Sequence, residues 1–62
     1  MQPKLTQKEV EIISDLLTLE ENVCKKARLY SETLTDMQIA GQFKTVAGNS
    51  AKRYAELLGL LN

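Results

Sequence analysis

Thr33-Leu34-Thr35-Asp36, residues 33–36, is the one break in a chain that otherwise reads as continuous helix. Thr33, Thr35 and Asp36 interrupt the apolar periodicity. Asp36 is a good helix N-cap, because its carboxylate can accept hydrogen bonds from the amides left unpaired at the start of a following helix. Upstream, helical spacing runs from about residue 7 to 34; downstream it runs from about 37 to 60. The only proline, Pro3, precedes all of it, and neither strand-like alternation nor an Asn-Gly or Asp-Gly turn occurs. So short a connection between helices of similar length forces them antiparallel. The expectation is an all-α hairpin, one domain over residues 1–62.

The first helix also marks its own start. Thr6-Gln7-Lys8-Glu9 is a capping box: the Thr6 hydroxyl can accept from the Glu9 amide while the Glu9 carboxylate reaches back to the Thr6 amide. Leu5 and Val10 flank it at the spacing of a hydrophobic staple. From there the helix is about 28 residues, or about 42 Å at the usual rise.

At about 100° per residue, Val10, Ile12, Ile13, Leu16, Leu17, Leu19, Val23, Cys24, Ala27, Tyr30 and Leu34 share one face of the first helix. Ile39, Ala40, Phe43, Val46, Ala47, Ala51, Tyr54, Leu57, Leu58 and Leu61 share one face of the second. Each apolar sector spans roughly 180°, whereas a helix with one neighbour needs about 100°. The excess predicts two neighbours per helix, and so a homodimer or higher homo-oligomer with two hairpins in a four-helix bundle. The expected core and dimer interface comprises Ile13, Leu16, Leu17, Val23, Cys24, Ala27, Phe43, Ala47, Ala51, Tyr54, Leu57 and Leu58. Gly41, Gly48 and Gly59 line up with Ala55 on one edge of the second helix. They permit close approach at a dimer seam, or are simply tolerated on the surface.

Composition narrows the function. A 62-residue chain buries little core and usually needs a staple. Cys24 is the only cysteine and histidine is absent, so an internal disulfide is excluded and a metal staple is poorly supplied. Oligomerisation is the staple that remains. Eight basic and eight acidic residues cancel, which argues against a nucleic-acid or membrane-surface partner. No apolar run approaches the ~20 residues of a membrane span, and Met1-Gln2-Pro3-Lys4 leads into no apolar signal core. With one unpaired thiol, the simplest expectation is a cytoplasmic protein.

One residue does not belong to its face. Glu20 sits among Ile13, Leu16, Leu17, Val23, Cys24 and Ala27, where an unpaired charge is expensive. With the turn near Thr35, residues whose numbers sum to about 71 lie level across the hairpin. Glu20 is then level with Ser50 to Tyr54, and Ser50, Arg53 and Tyr54 can all donate to a carboxylate. A buried polar cluster of Glu20, Ser50, Arg53 and Tyr54 is the leading reading, within one chain or across a dimer. Partial exposure of Glu20 ranks second. Metal ligation with Cys24, one turn away, ranks third.

Leu5-Thr6-Gln7-Lys8-Glu9, Leu19-Glu20-Glu21, Lys25-Lys26, Gln42-Phe43, Ala47 and the Leu-rich end at Leu57, Leu58, Leu60 and Leu61 together resemble the Coat F family of spore coat proteins. The resemblance spans Leu5 to Leu61 and rests on short helical motifs. It implies a ferritin-like helical protein of a spore-forming bacterium, located in the spore coat. In ferritin-like bundles a glutamate on one helix joins a Glu-x-x-His pair on the next to hold iron or manganese. Glu20 stands where that first glutamate is expected, but Ser50 and Arg53 fall at the Glu-x-x-His positions and neither suits a cation. The resemblance therefore implies a family member without its metal site: no catalytic residues, no cofactor, and an arginine in the space of the metal.

Four function classes follow. The first is a non-enzymatic structural or assembly protein, spore-coat-like, acting through bundle dimerisation. The second is an RNA-binding hairpin dimer, drawing on Lys4, Lys8, Lys25, Lys26, Arg28, Lys44, Lys52 and Arg53. The third is a ferritin-like metal-binding protein. The fourth is a regulatory hairpin docking on other coat or regulatory proteins. Catalysis through Cys24 ranks below all four, because no histidine is there to activate the thiol.

Overall fold

The computed structural model describes residues 5–62; the readings that fell on Met1 to Lys4 lie outside the described residues. Two helices, α1 (Gln7–Thr33) and α2 (Met37–Gly59), pack along their length. Both boundaries lie within a residue of the expected ones. The capping box is complete: Thr6 Oγ1 accepts from the Glu9 amide at 3.1 Å and Glu9 Oε1 accepts from the Thr6 amide at 2.9 Å. Two amides that the first turn would leave unpaired are thereby satisfied.

The turn works without glycine. Leu34 (ψ 136°) and Asp36 (ψ 111°) are both extended, and no described residue has positive φ. The helix therefore stops by swinging straight out rather than through a left-handed cap. The Leu34 amide still donates to the Tyr30 carbonyl at 3.0 Å. Asp36 Oδ1 then accepts from the Gln38 and Ile39 amides at 2.9 and 3.0 Å, restarting the helix at once. Just above the turn, the rings of Tyr30 and Phe43 meet edge to face, with centroids 5.3 Å apart.

Antiparallel pairing is read from the contacts themselves. Tyr30 meets Phe43, Cys24 meets Ala47 and Glu20 meets Ser50, so numbers fall on one helix as they rise on the other. Among the described residues, Ile13, Ala27 and Ala47 are the buried apolar ones and Ser50 the buried polar one. Leu17, Val23, Cys24, Phe43, Tyr54 and Leu57 are half-buried. Leu16, Ala51 and Leu58, expected in the core or interface, are exposed in the single chain, because two helices shield only the seam between them.

The molecule measures 47 × 19 × 11 Å, and its thin dimension is that of one helix. Its radius of gyration is 14.5 Å, against about 10.6 Å for a compact chain of this length and about 13.7 Å for one twice as long. Gly41 and Gly48 meet no close approach within the chain: a Cβ at either would find nothing within 4 Å.

Two stability changes test this account. Thr6→Ala removes the side-chain half of the capping box and should cost about 1 kcal/mol, lowering the thermal midpoint by roughly 4–8 °C. Gly48→Ala should raise stability by up to about 1 kcal/mol, since the helix gains propensity and nothing is displaced. Circular dichroism melts measure both. A destabilising Gly48→Ala would mean that something packs against that edge.

Candidate functional site

Ile13, Glu20 and Ala27 stand seven residues apart on one stripe of α1, the stripe pressed most closely to α2. Glu20 is thus carried into the seam at the middle of the helix. Ser50 lies opposite, fully buried, and its hydroxyl donates to Glu20 Oε1 at 2.8 Å. One turn further along α2, Arg53 reaches back across the seam. Its Nε donates to Glu20 Oε2 at 2.6 Å and its Nη2 to Glu20 Oε1 at 3.2 Å. The same Nη2 donates to Ser50 Oγ at 3.2 Å. Two parallel donors of one guanidinium thus engage both oxygens of one carboxylate, the geometry in which an arginine–carboxylate pair is most directional.

The pair is neither buried nor free. The Glu20 side chain keeps 15% of its exposure and that of Arg53 51%. The carboxylate sits in the seam while much of the guanidinium faces water at the margin, which limits the desolvation that fully buried pairs suffer. Hydrogen bonds from Arg53, then from Ser50, hold the Glu20 carboxyl below its ordinary value of 4.5. The same partner raises the Arg53 guanidinium. Among the described residues no buried side-chain polar atom lacks a hydrogen-bond partner.

Of the four residues expected together, the structure joins Glu20, Ser50 and Arg53 and leaves out Tyr54. Tyr54 sits on the other side of the seam, in a groove lined by Glu21, Cys24, Lys25, Arg28 and Ala51. The reason is angular: Tyr54 is about 100° around α2 from Arg53, which carries it past the seam to the opposite flank. Cys24 lies on that flank too. Its thiol donates to the Ala47 carbonyl at 3.6 Å, and Arg28 Nη2 approaches the sulfur at 3.8 Å. Cys24 and Glu20 therefore engage different partners, and no group of three or more His, Cys, Asp or Glu side chains converges among the described residues. The Tyr30–Phe43 contact was not expected, although both residues were on apolar faces and the level-pairing rule already set them opposite.

These residues do not fit the di-metal centre that a ferritin-like bundle implies. Both oxygens of Glu20 are directed at a guanidinium, and a fixed positive charge stands where a cation would have to enter. The arrangement is a neutralised polar clamp between two helices. It holds their relative height, because a carboxylate displaced by one turn would lose all three donors. Compared with protein-family models, curated proteins and solved structures, the chain matches none.

The clamp predicts an acid-sensitive fold. Glu20 titrates lower in the folded chain than in the unfolded one, so its stabilisation is complete above the ordinary carboxyl value and is lost as pH falls through the depressed folded value. Glu9, lowered by the Thr6 amide and hydroxyl, acts in the same direction. Melting midpoints followed from pH 7 to pH 2 should fall in acid. Glu20→Gln should lower the midpoint at neutral pH and flatten the fall; an unchanged acid slope would refute the assignment.

Proposed function

We propose that this chain is a non-catalytic assembly module, a helical hairpin that pairs with a second copy to complete a four-helix bundle. The observation that carries this reading is the exposed apolar surface of the single hairpin. Leu16, Leu19, Tyr30, Ile39 and Val46 are all exposed, although each lies on an apolar face of its helix. A hairpin one helix thick has no other way to cover them than to gain a neighbour. The spore coat is the setting that the resemblance to the Coat F family suggests, and coat assembly by helical surfaces suits a chain whose central polar cluster neutralises itself. No helix among the described residues is long and apolar enough to cross a membrane.

A second reading, an RNA- or protein-binding dimer, draws on one observation. Lys25, Arg28 and Lys44 line neighbouring grooves on the flank away from Arg53. Glu21 and Glu32 share those grooves, and Glu21 pairs with Lys25 at 3.1 Å, which dilutes the positive field.

Size-exclusion chromatography with light scattering at micromolar concentration should give twice the 7.0 kDa chain mass or a higher multiple of it. A folded species at the mass of a single chain would overturn the proposal. A gel shift with structured RNA separates the second reading: salt-sensitive binding at low micromolar protein would favour it over the coat module.

A further inference from the structure

The two flanks of the hairpin differ in kind. On one, Leu16, Glu20, Arg53, Glu56, Leu57 and Leu60 border a shallow groove. At about 100° per residue, Ile12, Leu19 and Val23 extend this flank along α1, and Ile39 and Val46 extend it along α2. On the other flank, charged Glu21, Lys25, Arg28, Glu32 and Lys44 rim a floor of small residues and Tyr54.

The spacing on the first flank is that of a helix–helix seam. Ile12, Leu16, Leu19 and Val23 follow one another by four, three and four residues, the alternation by which knobs enter holes. On α2, Ile39, Val46, Arg53 and Leu60 recur every seven. Within the hairpin these side chains touch no third helix, and Leu19 remains 57% exposed.

Resting on the assembly reading above, we infer that the flank carrying Leu16, Leu19, Val46 and Arg53 is the face on which a second copy of this chain docks, with the Glu20–Arg53 clamp at its mid-height. Three observations select a second copy as occupant. The first is area. The chain exposes 5071 Å², whereas a compact monomer of its mass exposes about 4000 Å². That excess of about 1000 Å² matches in scale the about 800 Å² that a standard dimer takes from each partner. The second is charge. The groove sets one cation, Arg53, against Glu20 and Glu56, a small net negative charge that calls for no strongly charged partner, and two chains of zero net charge do not repel overall. The third is length. The seam extends from Ile12 to Leu60, nearly the whole hairpin, and its complement must be an equally long pair of helices with the same heptad spacing. The chain itself is such a pair, and a two-fold axis sets one patch against its own copy.

The test is methyl NMR of the wild-type chain with a soluble paramagnetic probe, paired with sedimentation equilibrium. The Leu19 and Val46 methyls should be shielded in the dimer, while those of Val10 and Leu58, which lie toward the other flank, should broaden. Leu19→Glu and Val46→Glu should each weaken the dimer by about a hundredfold or more, since each change strikes both copies, whereas Ala51→Glu should change it by less than about threefold. A dimer with the shielding reversed would overturn this face and leave the assembly reading standing. A folded wild-type monomer would overturn both and hand the face to a different protein.

Discussion

Only the seam between α1 and α2 is shielded from water, and it is narrow. Ile13, Ala27, Ala47 and Ser50 are its buried residues, and three of the four are small. Small side chains let the helices approach closely, but they contribute little apolar area. The hairpin therefore depends on local devices to an unusual degree for a folded chain. The capping box at Thr6 and Glu9, the Asp36 cap and the Tyr30–Phe43 contact stabilise the helix ends and the turn, where packing alone would leave them frayed.

In such a seam a polar cluster has a different role from the one it has in a large core. Glu20, Ser50 and Arg53 add little stability that apolar residues of similar size would not match. They add registry. Apolar contacts along two helices tolerate a slide of one turn, because one leucine replaces another. A carboxylate held by three donors does not. Arg53 is suited to this because its fork is rigid and its charge is permanent. Its half-exposed position lets water solvate what Glu20 does not.

The same constraint links fold to function. A slab 11 Å thick has two broad flanks, each lined by residues of both helices, and it cannot turn its apolar residues away from both. One flank is rimmed with charges over a floor of alanine and glycine; the other is a heptad-spaced apolar strip with the Glu20–Arg53 ion pair at its centre and Glu56 beside it. That asymmetry gives the molecule a direction for association. Glu20, Ser50, Arg53 and Cys24 are engaged in hydrogen bonds within the hairpin, and among the described residues no three His, Cys, Asp or Glu side chains converge.

The hairpin itself was legible in the residues alone. Capping chemistry at Thr6 and Asp36 is local, and a short turn between long helices leaves the chain one way to fold back. Glu20 was conspicuous for the same reason: a carboxylate on an apolar stripe must find donors, and the level-pairing rule confined the search to a short stretch of α2. Tertiary structure decided which donors. Ser50, Arg53 and Tyr54 lie within a few residues of one another, yet the helix turns about 100° per residue. Arg53 is long enough to reach back across the seam, while Tyr54 is rotated past it beside Cys24 and Ala51. The width of each apolar face could likewise be counted from the sequence, but which part of it the hairpin covers depends on how the two helices roll against each other. That roll buries the small residues Ala27, Ala47 and Ser50 in the seam, an arrangement of distant residues that no local pattern encodes.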